Sequence, residues 1–273
     1  MNKLILSTAF FILGLISVIL SASCNSNNHW NDVEFYEVEK QETMTEKPED
    51  RAKDSVYASL HEEEAREMNV KVDMQFMKTE NSSSEKACKL MNEQLIELVL
   101  QQSSELSVDE AVSQYIEHTK EDFQHDEVAS VYQDHLTGRA EYGYKNIINY
   151  RLTEETFMGG AHPSTVTTIL RFNASTGEFI QLEDVVPLPN QEELKEKLLE
   201  KLMADKRAQS LEDLHKMGYL EMDDLFISPN FALHEDSIEF YYNEYDIAPY
   251  AYGPSAICLS YEEVKDIITI PTE

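Results

Sequence analysis

The chain is 273 residues long and 42% hydrophobic, enough for one large or two small domains with real cores, which excludes a disordered chain. With 22 Lys and Arg against 52 Asp and Glu it carries a formal net charge of -30, a surface that repels phosphate backbones and excludes nucleic acid as a partner. The same charge favours a cationic partner, although solubility alone accounts for it as simply.

The N-terminus reads as an export signal over residues 1–23: Lys3 as a minimal positive region, an apolar run from Leu4 to Leu20, then Ser21-Ala22-Ser23. The run is near the lower limit for a spanning helix, so an uncleaved anchor is the alternative. Cys24 after three small residues resembles the lipobox of bacterial lipoproteins, which implies cleavage before Cys24, its lipidation and attachment to a membrane. Asn25-Ser26-Asn27-Asn28 carries no acidic residue of the kind that resembles a surface-export signal, which points to the periplasmic face.

Residues 24–50 are polar and read as a flexible tether with a short strand at Phe35 to Val38. Val70, Val72, Met74 and Phe76 alternate along a half-buried strand, with Val56 to Leu60 as its weaker partner and Glu62-Glu63-Glu64 as a solvated turn. Ser82 with Glu85 reads as a capping box ahead of a helix striped by Cys88, Met91, Leu95, Leu98 and Val99. Ser107 with Glu110 repeats it ahead of Val108, Ala111, Val112, Tyr115, Ile116 and Phe123. His118 and His125 are seven apart, not the i, i+4 of a metal pair, and read as exposed. Cys88 and Cys258 could pair in an oxidising compartment, but two unpaired, buried thiols are the preferred expectation.

The chain then turns at Gly138 into one long strand through Tyr142, Tyr144, Ile148, Tyr150 and Leu152, leading into Gly159-Gly160-Ala161-His162-Pro163. Val166, Thr168, Leu170 and Phe172 form the next strand, and Asn173 to Gly177 a hairpin loop into Phe179 to Leu182. Helices start at Asn190, with Leu194, Leu198 and Leu202 inward, and at Ser210. Phe231 to Leu233 and Ile238 to Tyr242 form a hairpin, Ser255 to Leu259 a last strand, and Ser260 with Glu263 a capped helix. This order predicts an α+β fold of two intimately associated α/β subdomains, 51–162 and 163–273, with antiparallel sheets and helices packed on them.

Several segments carry a family resemblance: Gly159-Gly160-Ala161-His162-Pro163, Asn173 to Glu178 with Leu182-Glu183-Asp184-Val185, Tyr242 to Gly253, and Asn92 on the first helix. Together they resemble the paired extracytoplasmic domains of RsiV-type lysozyme-sensing anti-sigma factors and PdaC-type peptidoglycan deacetylases, in order over residues 51 to 270. Met217 to Leu220 and Asn230-Phe231 are similar to Bacteroides-like lipoproteins carrying the pair. The resemblance implies an α+β fold and protein binding, since the RsiV ectodomain captures lysozyme, a cationic protein that an acidic surface would attract. The chain departs from the anti-sigma pattern in reading as without an N-terminal sigma-binding segment, so direct sigma-factor control is not expected, and it reads as without the separate catalytic domain of the deacetylases.

No Gly-x-Ser-x-Gly elbow, zincin pair, P-loop, cofactor motif or metal motif is present, and the chain is expected not to be an enzyme. The ligand-binding candidates are Gly159, Gly160, His162, Asp246, Tyr250, Tyr252 and Gly253. The glycine-histidine stretch reads either as a ligand-facing loop or as a bulge at the seam of the two halves with His162 bonded inside. Tyr241, Tyr242, Tyr245, Tyr250 and Tyr252 read either as a recognition surface or as a loop packed on the core. The expected function is a lipid-anchored envelope binding protein that recognises a lysozyme-like protein or peptidoglycan. A wall-polysaccharide hydrolase or deacetylase accessory is the alternative.

Overall fold

The computed structural model describes residues 33–47, 64–80, 82, 84–125, 130–220 and 224–271. The signal segment, Cys24 and the Val56 to Leu60 run lie outside the described residues. Among those described, no helix is long and apolar enough to cross a membrane.

Five strands form the larger sheet in sequence order: β1 (Phe35–Glu46), β2 (Arg66–Met77), β3 (Val131–Tyr142), β4 (Ile147–Phe157) and β5 (Ser164–Asn173). The sheet is mixed rather than antiparallel, because β2 and β3 run parallel. A parallel pair needs a crossover, and α1 (Glu85–Leu98) and α2 (Val108–His125) supply it. Both helices bury their stripes on one sheet face: Cys88, Met91, Leu95, Ala111, Val112 and Phe123 join Val70, Val72, Met74, Phe76, Tyr150 and Phe172 in one core. Leu98, expected on that stripe, is exposed instead. The Ser107–Glu110 box forms, with Ser107 N–H donating to Glu110 Oε2 at 3.0 Å and Glu110 N–H to Ser107 Oγ at 3.3 Å. At α1 the cap position falls on Ser84, without a side-chain cap.

Four expectations change here. Residues 35–46 are no tether but a twelve-residue strand, held down by Lys40 to Asp109 (2.6 Å) and Lys120 to Glu42 (3.2 Å) on α2. The long strand expected across Tyr142 to Leu152 is two strands joined by a tight connection at residues 143–146. Gly138 is not a turn: it lies inside β3, where a Cβ would come within 2.2 Å of the Tyr150 hydroxyl, so the glycine makes room for that ring. The expected boundary at 163 also falls within a sheet, since β5 pairs with β4 along its length.

The second unit therefore starts after β5. It comprises α3 (Leu182–Val185), α4 (Gln191–Lys206), α5 (Leu211–Lys216), strands β6 (Phe231–Leu233), β7 (Ser237–Tyr242) and β8 (Ser255–Ser260), and α6 (Tyr261–Val264). Leu194, Leu198 and Leu202 of α4 pack on Phe231, Phe240, Tyr242, Ile257 and Leu259 in a separate core. Phe179 to Leu182, expected as a strand, makes only an isolated bridge between Phe179 and Phe172.

Side-chain amides stitch the units together. Asn230 accepts from Ile169 N–H at 2.6 Å and donates to Thr167 O at 2.7 Å. Asn243 accepts from Thr167 N–H at 2.7 Å and donates to the same carbonyl at 3.0 Å. These carboxamides stand where a sixth strand would pair, so the β5 edge is satisfied and closed. Asn149 on β4 does the same for Leu233 of β6. Beside them Arg171 is buried with no carboxylate partner among the described residues: its guanidinium donates to the carbonyls of Ile169, Ile180, Pro229 and Phe231 and lies 3.9 Å from the Phe231 ring centroid. Burial pulls its pKa down to about 9, still above neutral, so the cation persists.

Candidate functional site

The β4–β5 connection, residues 158–163, is an exposed loop. Gly159 (φ +95°) and Gly160 (φ +107°) occupy left-handed backbone, and nothing lies within 4 Å of where a Cβ would stand. Conformation rather than crowding therefore selects glycine here. This overturns the reading of the stretch as a buried bulge at the handover between subdomains: it is a hairpin tip of one sheet, and His162 is exposed.

His162 nevertheless meets the second unit. Its ring stacks on Tyr250, with centroids 3.7 Å apart and planes at 19°. Nδ1 donates to Pro163 O at 2.8 Å, which leaves Nε2 facing the Tyr245 hydroxyl at 3.5 Å. Tyr245 and Tyr250 lie 6.0 Å apart, and Tyr245 is 65% exposed. Tyr245 also adopts φ +70°, uncommon for a residue with a side chain. Its loop is pinned from below: Asn243 N–H donates to Asp246 Oδ2 at 2.7 Å while the Asn243 carboxamide grips Thr167. Asp246, expected to touch ligand, thus shapes the turn, although its side chain is at the surface.

Pro249 starts a 3-10 turn over Tyr250–Tyr252, and Gly253 (φ +67°) ends it. Tyr252, 55% exposed, packs edge-to-face on Tyr219 at 5.5 Å. On Tyr219 in turn lies the Lys206 ammonium, 4.6 Å from the ring centroid. The five tyrosines expected as one cluster therefore divide. Tyr245 and Tyr250 form a surface group with His162; Tyr252 is exposed on the same turn but packs on Tyr219; Tyr242 is a core residue whose hydroxyl donates to Phe226 O; Tyr241 lies under Arg151 at the seam. Sequence reasoning quoted Tyr219, Asn230 and Asn243 within the family segments without giving them these contacts, and missed Lys206 and Asn149, although an asparagine after two isoleucines is a readable anomaly.

Two titratable clusters lie elsewhere. Glu239 joins His234 (2.9 Å) to Arg151 (3.0 Å) across the seam. The shared hydrogen bond holds His234 above and Glu239 below their ordinary ranges. On the helix face, burial raises Asp134 and Glu154; Asp134 accepts from the Tyr115 hydroxyl at 2.7 Å, and its other oxygen has no hydrogen-bond partner among the described residues. His118 and His125 are separately occupied, by Gln102 and by the Glu121 carbonyl. Cys88 and Cys258 are both free thiols, but only Cys88 is buried; Cys258 points outward from β8. Among the described residues no group of three or more His, Cys, Asp and Glu side chains could hold a metal ion.

Fold and site together define an α+β protein in which two sheet-based units, pinned by asparagine side chains, share an aromatic surface. Residues 183–262 match the family described as protein of unknown function (DUF3298). The chain is similar in structure to a DUF3298 family member from Bacteroides fragilis NCTC 9343, with a TM-score of 0.71 and 25% identity over 87% of this chain and 94% of that one. It shares its fold with a DUF3298 family protein from Pseudomonas aeruginosa PAO1, with a TM-score of 0.58, 16% identity and the same coverage. In sequence it is 28% identical over 172 residues to the peptidoglycan-N-acetylmuramic acid deacetylase PdaC of Bacillus subtilis (strain 168), covering 59% of this chain. The similar stretch spans only about a third of that protein, 36% of its length.

Proposed function

We propose that this is a cell-envelope binding protein, held at the membrane through lipidated Cys24, which takes a wall glycan on the row of His162, Tyr250 and Tyr245. The observation that carries the reading is the exposed aromatic row itself, assembled from the larger sheet and the second unit. Exposed tyrosine rings offer apolar faces to the C–H faces of sugars while their hydroxyls remain available for hydrogen bonds. Similarity to PdaC supports a cell-envelope role. A binding role, alone or beside an enzyme, is the form we adopt. The net charge of -30 supports a second ligand, a cationic protein such as a lysozyme.

Sedimentation with insoluble peptidoglycan tests the first reading. The purified mature chain should co-sediment at physiological salt, and Tyr250→Ala should not. Failure to co-sediment even at low salt would overturn glycan binding. Capture on immobilised lysozyme, lost as salt rises and indifferent to Tyr250→Ala, would place the interaction on bulk charge instead.

A further inference from the structure

Two contacts fix how the His162 imidazole is presented. Its plane is set by the stack on Tyr250, and its Nδ1 is committed to the Pro163 carbonyl at 2.8 Å. A carbonyl oxygen only accepts, so Nδ1 carries the hydrogen, and in the uncharged ring Nε2 is left with a lone pair. Pro163 locks its own φ, which limits where that carbonyl can move. Facing Nε2 at 3.5 Å is the hydroxyl of Tyr245, on a ring that is 65% exposed. That separation is longer than a good hydroxyl hydrogen bond, about 2.5–3.0 Å between oxygens. An acceptor and a donor thus stand side by side at the surface, each only weakly used by the other.

We infer that His162 Nε2 and the Tyr245 hydroxyl form a subsite for one sugar hydroxyl, and that this subsite selects uncharged sugar residues over residues bearing a carboxylate. The inference rests on the glycan reading above and adds the chemical class of the sugar. A ligand hydroxyl donates to Nε2 and accepts from Tyr245, replacing one long contact with two shorter bonds. A carboxylate can accept from Tyr245 but has no hydrogen for Nε2, and it sets its charge against that lone pair on a protein of net charge -30. An N-acetyl amide, whose N–H and C=O point in opposite directions, serves only one of the two groups at a time. Recognition therefore falls on the hydroxyl.

Calorimetric titration of the full mature chain tests this with two oligomers: N-acetylglucosamine hexamer, and a hyaluronan hexamer, which alternates the same amino sugar with glucuronate. The uncharged oligomer should bind at least roughly fivefold more tightly, and the preference should survive high salt, which screens bulk charge. Tyr245→Phe keeps the ring, and His162→Phe keeps a ring to stack on Tyr250. Each should weaken the uncharged oligomer by roughly two- to tenfold, and the double variant by little more than either alone, because both changes break the same pair. Equal affinity for the two oligomers, or a preference that disappears at high salt, would overturn the inference. Phenylalanine variants that bind like the parent, or losses that add in full, would also overturn it and leave glycan binding on the ring faces standing. Retention of whole peptidoglycan without binding of N-acetylglucosamine hexamer would remove the inference alone. Binding of neither oligomer, nor of whole peptidoglycan, would remove both readings.

Discussion

Asn149 and Leu233 exchange two hydrogen bonds of 3.0 Å each, the carboxamide of a residue in β4 completing the backbone pairing of a residue in β6 eighty-four positions later. Asn149 is 1% exposed, so neither bond has water as a substitute. The Leu233 carbonyl also receives Tyr144 N–H at 2.9 Å, so only the Leu233 N–H depends wholly on Asn149. Asn149→Leu should therefore lower stability by about 1–3 kcal/mol, the cost of one buried orphan donor, read as the urea midpoint at unchanged slope. Asn149→Asp keeps the acceptor but sets a carboxylate oxygen against the Leu233 carbonyl. It should be the worse variant at pH 7 and recover in acid, where a protonated carboxyl can donate.

A glycine in the middle of a strand gives the second prediction. Gly138→Ala would push a Cβ to 2.2 Å from the Tyr150 hydroxyl and 2.9 Å from its ring carbons. Tyr150 cannot give way, because it is fully buried and its hydroxyl donates to Gln75 O at 2.8 Å. Overpacking of this kind costs about 1–3 kcal/mol. In a double-mutant cycle with Tyr150→Phe, which removes the closest atom, the two losses should add to less than their sum by at least about 0.5 kcal/mol. Strict additivity would mean the strand moves instead of the ring.

The same glycine marks where sequence reading reached its limit. Periodicity located the β2 face, the α2 and α4 stripes and the β6–β7 hairpin, because each depends on residues a few positions apart. Gly138 was misread as a turn because its reason, the Tyr150 ring, lies on the neighbouring strand. The split of the long strand went unseen for a similar cause: the connection at 143–146 has no unusual residues beyond Gly143, whose Cβ would meet the Leu233 carbonyl at 2.1 Å, a contact with the other unit. At the site, Gly159, Gly160, His162, Tyr250 and Tyr252 were legible as an anomalous loop and an aromatic run. That His162 and Tyr250 would touch was not, since contacts between residues far apart in sequence, such as Asn243 with Thr167 and Arg151 with Glu239, bring the units together.

The trio of Arg151, Glu239 and His234 predicts a pH dependence of stability. His234 is raised, chiefly by its bond to Glu239, so its contribution is complete below the ordinary histidine value of about 6.5 and is lost as pH rises through its folded value. Glu239 is lowered, first by His234 and also by Arg151, so its contribution is complete above about 4.3 and is lost as pH falls through its folded value. The trio therefore stabilises most between about pH 4.3 and 6.5. His234→Gln keeps a donor towards Glu239 but cannot gain charge. Melting temperatures from pH 5 to pH 8 should fall for the parent relative to this variant, and parallel curves would mean that His234 stays neutral throughout.

The stacking of His162 on Tyr250 brings the β4–β5 tip against the Tyr245–Tyr252 loop, and it can be observed without any ligand. An imidazole stacked with its centroid 3.7 Å from that of a tyrosine ring lies in the shielding cone, so the His162 ring signals should be displaced upfield relative to exposed histidines such as His125. Tyr250→Leu should return them to ordinary positions. Because both side chains lie at the surface, stability should change by no more than about 0.5 kcal/mol. Gly160→Ala offers a complementary perturbation: with nothing near the added methyl, its effect acts only through φ +107°, which alanine resists, and should displace the loop carrying His162. If peptidoglycan retention falls in both variants in step with the loss of the upfield shift, the assembled ring pair is what the ligand reads. Retention that survives an unstacked His162 would confine the contact to the tyrosines of the second unit.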